Sequence, residues 1–201
     1  MLGLLVPALV TTLTGARLVG SLAGLQRQRI EWWPLALGSI AIQLILFNPP
    51  VDRQAWALIW GPWIWMASLV VFIAVLVRNS MCNPVGRGAF RLAALGVALN
   101  LIVVVANGGH MPQSPAARLA VRGTPLVVAG SAPQLRNVAP SNSDTRLGWL
   151  GDSLAQPDWL PTANVVSVGD VVLSVAMAWW AFRAVTSVSP TQVRRRMADS
   201  Q

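Results

Sequence analysis

Charge is what this sequence has least of. Asp, Glu, Lys and Arg make up 11% of its 201 residues, against roughly 25% in an average soluble domain, while 54% are apolar and the mean hydropathy is +0.56. So few charges cannot cover a water-facing surface, which excludes an ordinary soluble domain and predicts a membrane protein. Lysine is missing: all fifteen basic residues are Arg. They lie scattered between apolar runs, apart from Arg194-Arg195-Arg196, and form no basic stripe interleaved with aromatics. The net charge of +8 and the pI near 11.8 therefore do not point to nucleic acid. Cys82 stands alone, which excludes an intrachain disulfide and a thiolate metal site. The single histidine, His110, has no partner at i+3 or i+4, a weak basis for metal binding. There is no Walker loop, no Gly-x-Ser-x-Gly and no His-Glu-x-x-His, and no internal repeat of the kind that builds transporters. No cofactor, metal site or catalytic residue is expected.

What is present is a series of apolar runs near bilayer length. Five spans are expected, at Leu2–Val19, Ile30–Phe47, Ala55–Val77, Ala89–Ala106 and Val165–Val185. Residues 1–106 thus carry four membrane helices, 107–164 an extracytoplasmic cap segment, 165–186 the fifth helix and 187–201 a basic tail. Gly61-Pro62 is expected to kink the third span. The first run has no basic residue before it and Arg17 after it, a polarity that suits an uncleaved anchor rather than a signal peptide.

Arginine decides the orientation. Arg17, Arg27, Arg29, Arg78, Arg87, Arg91, Arg183 and Arg194–Arg196 fall on one side, opposed only by Glu31 and Asp199. On the other side Arg53, Arg118, Arg122, Arg136 and Arg146 are balanced by Asp52, Asp144, Asp152, Asp158 and Asp170. The whole net charge lies on one face, and the positive-inside rule makes that face cytoplasmic. The N-terminus is then outside and the C-terminus inside the cell membrane. Tryptophan agrees. Trp32-Trp33 and Trp179-Trp180 fall at predicted inner ends, and Trp56, Trp60 and Trp63 share a face near the outer end of the third span, with Trp65 close by. An indole prefers the interface because its ring is apolar and its N–H needs a partner; a stacking platform for a pigment or quinone is the competing reading.

The outer segment 107–164 holds seven of the fourteen prolines and so is not one long helix. Ser114-Pro115 before AARLAVRG predicts a short helix with a Ser cap, Pro at its first position and Gly123 as its stop. Asp144 before TRLGWLG predicts a cap on one or two apolar turns ended by Gly151, and PLVVAG at Pro125–Gly130 an extended stretch or loop. These pieces are expected to fold back over the helix ends.

Three motifs carry a resemblance. Asn107-Gly108-Gly109-His110-Met111-Pro112 closes a span. Asp144-Thr145-Arg146-Leu147 leads to Leu150-Gly151-Asp152. Ser167-Val168-Gly169-Asp170 opens the last helix. In this order they resemble the DUF5317 family, small bacterial integral membrane proteins, and the resemblance implies no chemistry. Where a longer apolar stretch is expected after the Gly-Asp, this chain has Ser153-Leu154-Ala155-Gln156-Pro157.

Asp170 stands out, about one and a half turns into the fifth span. A carboxylate at the bilayer centre costs about 2.5–3.5 kcal/mol, so it must face the bundle or a wet cavity. Ser167, Asp170, Ser174 and Met177 make one stripe, and Ala93, Gly96, Asn100 and Asn107 a matching one on the fourth span. The two stripes are expected to pack together, with Asn100 or the Asn107-Gly108-Gly109 backbone satisfying Asp170. A functional use of the same residues is an outward-facing polar pocket of Asn107, His110, Asp144, Asp152 and Asp170, able to hold a divalent cation or pass protons. The structural use has Asp170 lock two helices, Asp144 cap a helix and Asp152 close a turn.

The sequence thus predicts an all-α polytopic bundle in the lipid bilayer. The expected role is a non-enzymatic subunit or assembly partner of a membrane complex, or a small extracytoplasmic binding protein. A membrane enzyme or an ion- or proton-handling protein built on the polar pocket is the alternative.

Overall fold

The computed structural model describes residues 23–122, 134–157, 159–160 and 163–187. The first expected span, Gly123, the 125–130 stretch and the Arg194–Arg196 tail lie outside the described residues. Six α-helices are described: α1 (Ala23–Gln26), α2 (Trp33–Leu46), α3 (Ala55–Cys82), α4 (Arg87–Ala106), α5 (Pro115–Arg122) and α6 (Val168–Thr186). Four short strands lie in the second half: β1 (Met111–Gln113), β2 (Val138–Pro140), β3 (Asp152–Ala155) and β4 (Val165–Ser167).

Three helices, α3, α4 and α6, are long and apolar enough to cross a membrane, so the expectation of about five spans is not supported among the described residues. The second expected span is a helix of 14 residues, or about 21 Å at 1.5 Å per residue, against a hydrocarbon core of about 30 Å. Hydropathy overran it because prolines bracket the helix: Pro34 sits in its first turn and Asn48-Pro49-Pro50 follows its end. By contrast α3 runs unbroken through Pro62 for 28 residues. Gly61-Pro62 is where later segments of the chain seat on α3, since Gly61 faces the Leu135 side chain and Gly109 faces Pro62.

The α3–α4 connection follows from its sequence. Asn83 leaves helical geometry ahead of Pro84, and its Oδ1 accepts from the Gly86 N–H at 2.8 Å, closing the turn that starts α4. At its other end α4 stops at Gly108 and Gly109, both at positive φ (66° and 91°), with the Gly109 N–H returning to the Val104 carbonyl at 2.8 Å. Helices α4 and α6 meet through glycine. A Cβ on Gly96 would lie 2.6 Å from the Gly169 carbonyl oxygen and 2.8 Å from the Leu173 nitrogen, and a Cβ on Gly169 would collide with the Gly96 carbonyl and the Asn100 side chain. Of the expected stripe pairing, Asn100 meets Ser167 and Asp170, while Gly96 meets Gly169 and Leu173, which lie outside the expected stripe.

The segment between α4 and α6 departs from an all-α fold. Its strands form one mixed sheet in the order β2-β1-β3-β4. β1 runs parallel to β2 (Met111 opposite Val138) and to β3 (Gln113 opposite Asp152), while β3 and β4 are antiparallel (Asp152 opposite Ser167, Ala155 opposite Val165). The last helix therefore begins at Val168, because Val165–Ser167 belong to the sheet. The core continues from helices into cap: Val103, Val104, Phe90, Trp65, Met111, Leu135 and Leu150 are buried in one cluster, with Trp65 edge-on to Phe47 at 5.1 Å. Outside it, Leu35, Leu37, Leu44 and Ile45 on α2, and Trp56, Ile59, Trp60 and Trp63 on α3, are exposed.

Candidate functional site

The polar centre lies where α4 meets the start of α6. Ser167 is the N-cap of α6 and Asp170 its third residue, and they form a capping box. The Ser167 Oγ accepts from the Asp170 N–H at 2.9 Å, and Asp170 Oδ2 accepts from the Ser167 N–H at 3.2 Å. Asn100 closes the ring from α4: its Nδ2 donates to Asp170 Oδ1 at 2.9 Å and its Oδ1 accepts from the Ser167 hydroxyl at 2.8 Å. Asn100 is thus the partner of Asp170, and the Asn107-Gly108-Gly109 backbone is not. Asp170 also sits in the first turn rather than one and a half turns in, so its carboxylate lies at the positive end of the helix dipole. Ser174, one turn further along, is buried with its hydroxyl unpaired among the described residues.

Asp152 reaches the same centre from the sheet. It faces Ser167 across β3–β4, and its carbonyl accepts from the Ser114 N–H at 2.8 Å. Its side chain is buried, and Gln113 Nε2 lies 3.4 Å from Oδ2. Burial and the neighbouring Asp170 carboxylate push its pKa from 3.8 up to about 7, against the lowering effect of the Gln113 amide. On the far side of Gln113, Arg118 Nη1 lies 3.4 Å from Oε1. Asp152 therefore sits in a strand, not at the closure of a turn.

The remaining expected residues go elsewhere. Asn107 clamps the segment around Arg146: its Oδ1 accepts from the Arg146 N–H at 2.9 Å and its Nδ2 donates to the Arg146 carbonyl at 2.8 Å. His110 donates from Nδ1 to the Arg136 carbonyl at 3.0 Å. Asp144 is exposed in a turn built by Asn142, whose Oδ1 accepts from the Asp144 N–H. It caps no helix, because the following one-turn helix, Gly148–Leu150, starts after Leu147 and has no side-chain cap. Asn107, His110, Asp144 and Thr145 line one shallow cleft of about 260 Å³, whose lining does not include Asp152 or Asp170. The five-residue pocket expected from the sequence is thus two separate sites. Among the described residues no three His, Cys, Asp or Glu side chains converge as metal ligands.

One buried carboxylate escaped the sequence reading. Asp52 is fully buried before α3; its Oδ2 accepts from Gln134, its carbonyl accepts from the Leu135 N–H at 2.7 Å, and its Oδ1 has no hydrogen-bond partner among the described residues. A loop aspartate next to Arg53 gives no sequence signal of burial, since Gln134 lies 82 residues away. The predicted Ser cap is present, with Ser114 Oγ accepting from the Ala117 N–H at 3.3 Å at the start of α5.

The model of a family of unknown function, DUF5317, matches residues 27–182. This match spans all three motifs, and the chain belongs to that family. No curated protein and no solved structure matches it.

Proposed function

We propose that this DUF5317 member is a multi-pass protein of the bacterial cell membrane that serves as a non-enzymatic subunit or assembly partner of a membrane complex. Its cap faces outward and its C-terminus lies in the cytoplasm. One observation carries the reading: the polar side chains that could have formed a reaction centre bind the cap to the helix ends. Asn100, Ser167 and Asp170 are closed on one another, and Asn107 is closed on the Arg146 backbone. Among the described residues nothing covers the exposed apolar side chains of α2 and α3, which offer surfaces for lipid or a partner helix. Arginine asymmetry supports the orientation, with Arg78, Arg87, Arg91 and Arg183 at or beyond the helix ends remote from the cap.

Native purification in mild detergent with mass spectrometry tests this. A stoichiometric companion is expected, lost when Ile59 and Trp63 are both changed to Gln and retained in His110→Ala. Purification as a lone chain, or a phosphatase fused after Gln201 that is active outside the cytoplasm, overturns it. A second reading, a small extracytoplasmic binding protein, is favoured by the cleft that His110 and Asp144 share. It requires His110→Ala to abolish ligand capture while the companion is unaffected.

A further inference from the structure

The loop entering α2 is held more tightly than a helix connection requires. Asn79 on α3, 1% exposed, donates from Nδ2 to the Glu31 carbonyl and accepts at Oδ1 from the Glu31 N–H, both at 2.9 Å. Its amide pairs with Glu31 as a neighbouring strand would, fixing both backbone polar groups. The next residue, Trp32, has φ 58° and ψ 25°. The left-handed region is disfavoured for an L-residue, and no Gly, Asn or Asp stands here to relieve it. Such strain persists only where the surroundings over-determine it, and it concentrates at ligand sites.

The strained turn presents two indoles. Trp32 and Trp33 are each about half exposed, and Arg78 from α3 brings its guanidinium carbon to 5.8 Å from the Trp32 ring centroid. Beside them opens a cavity of about 550 Å³ lined by Gln28, Arg29, Glu31, Trp32 and Trp33. Arg29 lines it, Arg78 lies over the ring of the lining Trp32, and Glu31 is the one acidic residue among those lining it, so the formal charge of these described residues is one positive.

We propose that this cavity binds the singly charged phosphodiester headgroup of a membrane lipid. Arg29 and Arg78 hold the phosphate oxygens, and Trp32 and Trp33 lie at the level of the glycerol backbone. Guanidinium groups suit phosphate because their donors form a planar fork, and indoles settle at the interface between apolar chains and water. The volume falls within the range of small-molecule sites and exceeds what a free phosphate fills. A loop whose only task was to carry positive charge inside would need neither a left-handed tryptophan nor a buried asparagine devoted to its backbone. The site rests on the membrane reading above.

The test uses the full chain in detergent and reads the dose dependence of the thermal midpoint. The probes are a short-chain phosphatidylglycerol, the uncharged diacylglycerol of the same chain length, and inorganic phosphate. Phosphatidylglycerol is expected to raise the midpoint saturably and diacylglycerol to leave it unchanged. Arg29→Gln and Arg78→Gln should each weaken the apparent affinity at least tenfold, with Arg91→Gln, at the same end of the bundle, unaffected. Trp32→Asn keeps a residue that tolerates the left-handed conformation, so it should stay folded and still lose affinity. Wild-type affinity in folded Arg29→Gln, Arg78→Gln and Trp32→Asn overturns the site. Phosphate acting as strongly as the lipid at equal concentration overturns the lipid as its occupant. Carbonate extraction of membranes separates the two readings: a chain that washes off sinks the membrane assignment, while an embedded chain with unaltered affinity sinks this site alone.

Discussion

Asn100 on α4 donates a 2.9 Å hydrogen bond to Asp170 Oδ1 on α6, and through its other amide atom accepts from Ser167, the cap of that same helix. One side chain thus satisfies both members of a capping box on a neighbouring helix. Because Gly96 and Gly169 remove the Cβ atoms at the crossing, the backbones approach closely enough for an amide to reach.

Breaking this ring should be costly. Asn100→Ala leaves Asp170 Oδ1 without its donor and the Ser167 hydroxyl without its acceptor in a largely buried place, which destabilises by about 2–4 kcal/mol. Asp170→Leu should fall in the same range and Asp170→Asn should lose less. Thermal unfolding in detergent and folded yield check this, and unchanged values for all three would show that the ring adds nothing to stability.

The helix crossing makes a second prediction. Gly96→Ala drives a methyl into the backbone of Gly169 and Leu173, which cannot yield as a flexible side chain can, and should destabilise by about 1–3 kcal/mol. Gly38→Ala on α2 is the control, since a Cβ there meets nothing within 4 Å. It should be neutral or slightly stabilising, and equal effects at the two positions would contradict the close approach.

Asp152 predicts a pH dependence with a definite sign. Its folded value of about 7 lies above the unfolded 3.8, so between these values the folded state holds the extra proton. Its contribution to stability is fully present below about pH 4 and is lost as pH rises through 7. Asp152→Asn should flatten this part of the profile and be more stable than the parent at pH 8, by about 1–3 kcal/mol. A parent whose midpoint climbs between pH 5 and 8, with the variant following it, would refute the assignment.

Asn107 predicts local loosening. Asn107→Ala removes both side-chain bonds to the Arg146 backbone, so amide exchange at Arg146 and its neighbours should accelerate at least tenfold. The α4–α6 crossing, held by Gly96, Gly169 and the Asn100 ring, should keep its protection. Uniform acceleration across the chain would mean that the clamp belongs to the global fold.

Particular elements show how much was legible beforehand. The cores of α3, α4 and α6 could be read because a continuous apolar run needs no partner to be recognised. The Asn100–Asp170 pairing could be read because both residues lie on helical stripes of small and polar side chains. The depth of Asp170 was misjudged. Val165 and Val166 extend the apolar run while belonging to a strand, although Ser167-x-x-Asp170 is itself a capping signature. The sheet was missed because its strands have three or four residues, too few to show alternation, and β1 pairs with β2 far along the chain. The proposed pocket was divided for a related reason: proximity in the list of polar residues says nothing about which loop each one clamps.

By itself, the sequence determined the scarcity of charge and the three long apolar helices, because these follow from composition and from the order of residues along the chain. Only the tertiary structure decided that a mixed sheet seats the cap, that Asp52 and Asp152 are buried and that Trp32 is strained. Each of these depends on contacts between residues far apart in the chain, and their energy comes from burial and hydrogen bonding in three dimensions rather than from any local preference.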